Sequence, residues 1–123
     1  MSSLLIIAHG SRRGASNDEV RLLADQVRAQ PGQAYDHVQA AFLELAEPGI
    51  ADGLAALVAQ GATDIVAFPY FLAAGTHVAQ DIPEAIAEFA ARHPGVNVRL
   101  TAHLGASAAL PAAILGMAAG FVN

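Results

Sequence analysis

The sequence predicts an α/β domain built on a four-stranded parallel sheet with helices on both faces. Short, continuous apolar runs of strand length alternate with longer segments whose apolar residues recur at helical spacing, and the order repeats along the chain as βαβαβαβα. Each strand-to-strand connection holds a helix, and the crossover rules turn that order into parallel pairing. The 123 residues, 54% of them hydrophobic, suffice for one packed core and show no linker or internal repeat, so residues 1–123 read as one domain.

Residues 4–8, LLIIA, are apolar without a break and stop at His9 and Gly10, as expected of a strand buried on both faces. Ser16 and Glu19 form a capping-box pattern, and Val20, Leu23, Ala24 and Val27 follow at helical spacing as far as Pro31 and Gly32. DHVQAAFL, 36–43, reads as the second strand. Pro48 then takes a first-turn position in a second helix whose inner face is Ile50, Leu54, Leu57 and Val58 and which stops at Gly61. The third strand is read over 64–72, DIVAFPYFL, with a loop, AAGTHVAQD, over 73–81. A third helix starts near Pro83, carries Ile82, Ile86, Phe89 and Ala90 on one side, and ends at His93, Pro94 and Gly95. VNVRL, 96–100, alternates as the fourth strand, and an Ala-rich helix with Leu110, Ile114 and Met117 closes the chain.

Composition removes several kinds of chemistry. With no cysteine, disulfides, zinc–thiolate sites, iron–sulfur ligation and thiol nucleophiles are excluded, so a transition metal must sit on His or carboxylate. Every cationic side chain is Arg, which removes Schiff-base catalysis and the P-loop lysine. A net charge of -5 argues against nucleic acid as a partner. No run reaches the roughly 18 uninterrupted apolar residues of a membrane span, because charged or Gly/Pro residues interrupt each one, and LLIIA is too short for a secretory signal, so the expectation is a soluble cytoplasmic protein.

In a parallel sheet the carboxyl ends of all strands lie on one edge, where ligands bind at the reversal of winding. With the flavodoxin-like order 2-1-3-4, the loops after Ala8 and Leu72 face each other across that crevice. His9 lies in the first and His77 in the second, while Glu44 and Glu47 follow the neighbouring second strand. Glu47 is the stronger of the two acids, with a charge at a helix amino terminus as its ordinary explanation. Ser11 lacks a nucleophile elbow and reads as a turn or cap residue. Arg12 and Arg13 could fork onto anionic substrate groups or simply be solvated. Of the other histidines, His37 lies within a strand and His93 at a helix end, which leaves His103, after the fourth strand, as the one candidate to join the site.

Three blocks, LLIIAHGSR, FLELAEPGI and PYFLAAGTHVAQDIP, resemble in order and spacing the short CbiX-type class II chelatases. That family inserts cobalt into sirohydrochlorin on the anaerobic route to cobalamin, with relatives inserting iron for sirohaem or nickel for coenzyme F430. The resemblance implies a flavodoxin-like, chelatase-like fold and a homodimer of half-chelatases. It implies His9 as metal ligand and proton acceptor, His77 as second metal ligand, Glu47 as the acid facing the tetrapyrrole, and Leu72, Ala73, Ala74, Gly75 and Thr76 as the pocket lining. No cofactor is implied beyond the substrate metal ion, Co²⁺ first, with Fe²⁺ or Ni²⁺ as the others. The late His-rich segment of some short members is absent here, where only His93 stands in EAIAEFAARHPGVNV.

The residues suit that chemistry independently. Inserting a divalent ion into a free-base tetrapyrrole strips waters from the metal and two protons from pyrrole nitrogens, and imidazole can both ligate a borderline ion and take a proton. A non-catalytic metal or tetrapyrrole carrier would share these residues and differ only in turnover. A histidine-dependent phosphatase wants Arg directly before the His-Gly pair, where Ala8 stands. Finally, a mean hydropathy of +0.43 leaves more apolar side chains than one small core hides. The Ala-rich last helix and the stretch from Phe68 to Leu72 are the surplus surface that pairing of identical chains would cover.

Overall fold

A computed structural model describes residues 2–73 and 75–122, with the side chain of His77 outside that description. Four strands, β1 (Ser2–Ala8), β2 (His37–Phe42), β3 (Asp64–Pro69) and β4 (Asn97–Leu100), form one parallel sheet in the order 2-1-3-4. Four helices connect or follow them: α1 (Gly14–Arg28), α2 (Ile50–Ala59), α3 (Thr76–Arg92) and α4 (Ala109–Ala118). Short 3₁₀ turns at Leu104–Ala106 and Ala119–Phe121 flank α4. The expected fold class and strand order are those observed.

The unbroken apolar run of β1 reflects burial on both faces. Leu5 and Ile7 point into a core shared with Leu54 and Leu57 of α2 and Ile82, Ile86 and Phe89 of α3. Ile6 packs on the other side with Val38, Ala40 and Ala24 of α1. Register aligns Ala8 with Phe42 on one flank and Ile7 with Pro69 on the other, so the strand ends that carry the site are level.

Several boundaries differ from the sequence expectations. β3 ends at Pro69 rather than Leu72: Tyr70 N–H still donates to the Ile7 carbonyl at 2.7 Å, but Phe71 N–H turns back onto the Pro69 carbonyl. The capping box at Ser16 is unused, because α1 starts at Gly14. Pro48 precedes α2 instead of opening it, joined to Glu47 by a cis peptide bond. The largest correction concerns residues 76–81, expected as loop, which form the first turns of α3 with Pro83 inside the helix. The apolar stripe explains the longer helix, since Val78 packs on the same core as Ile82 and Ile86, four and eight residues on.

α4 is a helix, as expected, yet none of its residues is buried. Ile114, Leu115 and Met117 are all largely exposed, as is Leu72 beyond β3, where Tyr70 is about one third exposed.

Candidate functional site

The hydrogen-bond ladder between β1 and β2 does not stop with the strands. Leu43 N–H donates to the Ala8 carbonyl at 2.9 Å and Glu44 N–H to the His9 carbonyl at 3.1 Å, so the parallel register carries Glu44 to the side of His9. There His9 Nε2 and Glu44 Oε1 lie 3.0 Å apart. Gly10 makes this approach possible. Its φ is +95°, and a Cβ there would run into the Glu44 carbonyl, so only glycine lets the two loops meet. The imidazole also stands edge-on to the Phe71 ring, with centroids 6.4 Å apart.

The loop after His9 is held from behind. Asn17, buried on α1, accepts from Ser11 N–H at 2.9 Å and donates to the Ser11 carbonyl at 2.7 Å. Ser11 Oγ accepts from Arg13 N–H, the turn role expected of it. Arg21, also on α1, donates to the Glu47 carbonyl at 2.9 Å and lies over the Phe42 ring, tying the loop after β2 to the same helix. Neither Asn17 nor Arg21 stood out in the sequence, because an Asn or Arg in an amphipathic segment reads as solvated surface.

The structure brings Glu44, not Glu47, to His9. Leu45, at a φ of +64°, turns the chain directly after Glu44, and Glu47 is left exposed beyond that turn. A hollow of about 310 Å³ is lined by His9, Leu43, Glu44, Val78 and Asp81, and so opens between the loop after β1 and the first turns of α3. Residue 77 lies in that first turn, four positions before Asp81. The appearance of Asp81 at the site is tied to the longer helix, which the loop reading concealed.

Leu72, Ala73, Gly75 and Thr76 are exposed on this edge, Gly75 being the residue from which α3 departs. Ala74 lies outside the described residues. Arg12 and Arg13 are exposed and make no ion pair among the described residues. His103 lines a separate hollow of about 190 Å³ with Pro69, Val78, Ile82 and Pro83. His37 pairs in register with Ser3, at the opposite end of β1 from His9. His93 stacks on Phe89 and bonds its carbonyl, closing the end of α3. Among the described residues no three His, Asp or Glu converge as a metal cage; His9 and Glu44 are in direct contact, and Asp81 lines the same hollow.

Fold and site together define a doubly wound α/β protein with an imidazole–carboxylate pair at the carboxyl edge of its central strand. The CbiX family model matches residues 3–118, and the chain belongs to that family. It is 38% identical to the chloroplastic sirohydrochlorin ferrochelatase of Arabidopsis thaliana over 83% of this chain and 44% of that one. It is 34% identical to the sirohydrochlorin cobaltochelatase of Methanococcus aeolicus over 68% of this chain and 57% of that one. Against these relatives the chain spans well under two thirds of their length. The crystal structure of a CbiX protein from Marinobacter aquaeolei VT8 superposes with a TM-score of 0.82 at 29% identity, covering 98% of this chain and 97% of that one. The sirohydrochlorin chelatase SirB of Bacillus subtilis subspecies spizizenii, in complex with cobalt, gives 0.82 at 32% identity over 97% of this chain and 50% of that one.

Proposed function

We propose that this chain, acting as one domain and as a homodimer in the cytoplasm, inserts a divalent metal ion into sirohydrochlorin. The observation that carries the reading is the 3.0 Å pair of His9 and Glu44 at the mouth of the crevice, facing the start of α3. Atoms at that separation can share a proton or bind one ion side by side. Insertion releases two pyrrole N–H protons as the ring nitrogens take the metal, and His9, freed as the ion passes to the ring, accepts them one at a time while the half-exposed carboxylate of Glu44 hands each to solvent. His9 ligates the incoming ion, with His77 as the second imidazole. So incomplete a donor set leaves coordination positions open for the macrocycle and lets the metal depart.

Glu44 takes the role that the family resemblance gave to Glu47. Leu72, Ala73, Gly75 and Thr76, exposed on this edge, line the ring, and Arg12 and Arg13, exposed in the loop after His9, meet its peripheral carboxylates. Co²⁺ is the proposed ion, supported by the named cobaltochelatase relative and the cobalt complex of SirB, and Fe²⁺ is the competitor that the ferrochelatase relative raises. No helix among the described residues is long and apolar enough to cross a membrane, which agrees with a water-borne substrate.

The test is the metal-dependent change in sirohydrochlorin absorbance with His9→Ala and His77→Ala. Both variants should lose most insertion while keeping the fold, since His9 sits at an open strand end and contributes little packing. A folded His9→Ala protein with near-native rates removes His9 from the chemistry. Metal binding without turnover in the parent protein would instead make it a carrier.

A further inference from the structure

An acid on a helix usually has one of two explanations. It pairs with a cation one turn away, as Asp18, Asp25 and Glu88 do with Arg21, Arg28 and Arg92, or it sits in the first turn against the helix dipole. Asp81 has neither. It is the sixth residue of α3, whose first turn holds no acid, and its side chain makes no ion pair or hydrogen bond among the described residues. Three positions on stands another acid, Glu84, a spacing that works against the helix.

What Asp81 does share is the hollow of about 310 Å³. It stands on the α3 wall, with His9 and Glu44 on the wall formed by the loops after β1 and β2, and no arginine is among the lining residues. A divalent ion entering there has a carboxylate on either side of it, and with a neutral imidazole the two balance its charge. Asp81 nevertheless does not converge with His9 and Glu44 on one point, since no three such groups among the described residues form a cage. A layer of water spans that gap. Six waters at about 30 Å³ each make roughly 180 Å³, so an ion with its hydration shell fits the hollow, and a water bound to it can donate to Asp81.

We infer that Asp81 is a positioning residue for the substrate metal: it accepts hydrogen bonds from waters on the incoming divalent ion and holds that ion beside the His9–Glu44 pair until the macrocycle nitrogens replace the waters. The inference rests on the metal site proposed above and deepens it. Its place in the fold suits the task. Asp81 and Leu43 also line a neighbouring, more open hollow of about 390 Å³ with Glu84 and Ala85, so Asp81 stands where the site meets solvent. None of Leu72, Ala73, Gly75 and Thr76 lines either hollow, so the ion reaches Asp81 without crossing the residues proposed to hold the ring.

The test compares the parent protein, untagged, with Asp81→Asn, Asp81→Glu and Asp36→Asn. Each is titrated with Co²⁺ by calorimetry without tetrapyrrole, and initial insertion rates are then measured against Co²⁺ and against sirohydrochlorin. Asp36 is exposed and its N–H bonds the Ser2 carbonyl, at the opposite end of β1 from His9, so its variant removes the same charge far from the hollow. Asp81→Asn should weaken Co²⁺ binding and raise the KM for Co²⁺ by about 10-fold or more, the usual cost of losing a carboxylate that supports a metal site. Its kcat and its KM for sirohydrochlorin should stay at the parent values. Asp81→Glu restores the charge and should recover most of the affinity; because Asp81 is exposed, all the variants should keep the parent's circular dichroism. Parent-like Co²⁺ affinity in Asp81→Asn overturns the inference. So does a fall in kcat at unchanged affinity, which puts Asp81 in the proton transfer, and so does an equal loss in Asp36→Asn, which makes the effect one of net charge. A parent protein that binds Co²⁺ without turnover removes the chelatase reading alone, because the titration still decides whether Asp81 holds the ion.

Discussion

Replacing Glu44 by Gln keeps the size of the side chain and its ability to accept from an imidazole N–H, and removes only the charge. The pair it disturbs is half in water, with the His9 and Glu44 side chains 57% and 60% exposed. Exposed ion pairs contribute about 0 to 1 kcal/mol, so the unfolding midpoint in urea should hardly move. The kinetic effect should be far larger. Carboxylates that orient a metal-binding or proton-accepting imidazole typically cost about 10- to 100-fold when lost, or about 1.4 to 2.7 kcal/mol in barrier. The assay is initial-rate metal insertion followed by sirohydrochlorin absorbance, with Glu47→Gln measured in parallel. Glu47 stands beyond the turn at Leu45 with its carbonyl held by Arg21, so its variant should insert metal at close to the parent rate. In the proposed step His9 and Glu44 act on the same proton, so His9→Ala combined with Glu44→Gln should be little slower than His9→Ala alone. Parent-like kinetics in Glu44→Gln together with a slow Glu47→Gln would refute the reasoning and return the acid role to Glu47.

Gly10→Ala should destabilise by more than about 1 to 2 kcal/mol, the cost of a left-handed non-glycine residue, because the new methyl also meets the Glu44 carbonyl; urea unfolding measures it. Asn17→Ala leaves the Ser11 backbone without both of its side-chain partners and should cost about 1 to 3 kcal/mol by the same measurement, with slower insertion as the His9 loop loosens. Leu54→Ala, in the fully buried core under the site, should cost about 2 to 5 kcal/mol, while the surviving folded fraction keeps the parent turnover per active site.

The parts of the fold that were legible in the sequence were those dictated by burial. LLIIA declared a two-face-buried strand, and the helical faces of α1 and α2 followed from spacing alone. Proline misled twice, because Pro48 and Pro83 were each read as opening a helix when one precedes its helix and the other lies inside it. The site was half legible. His9 follows from a strand that ends at an edge, but the choice between Glu44 and Glu47 depends on a ladder that runs two residues past the strand and on a left-handed Leu45. No sequence pattern announces a leucine in that conformation. Asp81 and Asn17 were hidden for a related reason, since each matters only through its place on a helix relative to a loop distant in sequence. The surplus apolar surface, by contrast, was visible in the composition, and the exposed α4 and the stretch beyond β3 are where it lies.

The central claim is that this chain turns over as a chelatase, and the most direct measurement is multiple-turnover insertion. Sirohydrochlorin in large excess over protein is mixed with Co²⁺, and separately with Fe²⁺ and Ni²⁺, and the absorbance change is compared with that of each protein-free mixture. The account expects metallation to run to completion well beyond one equivalent of protein, fastest relative to the uncatalysed rate with Co²⁺. Metallation that stops at one equivalent, or that proceeds at the protein-free rate with all three ions, would contradict it.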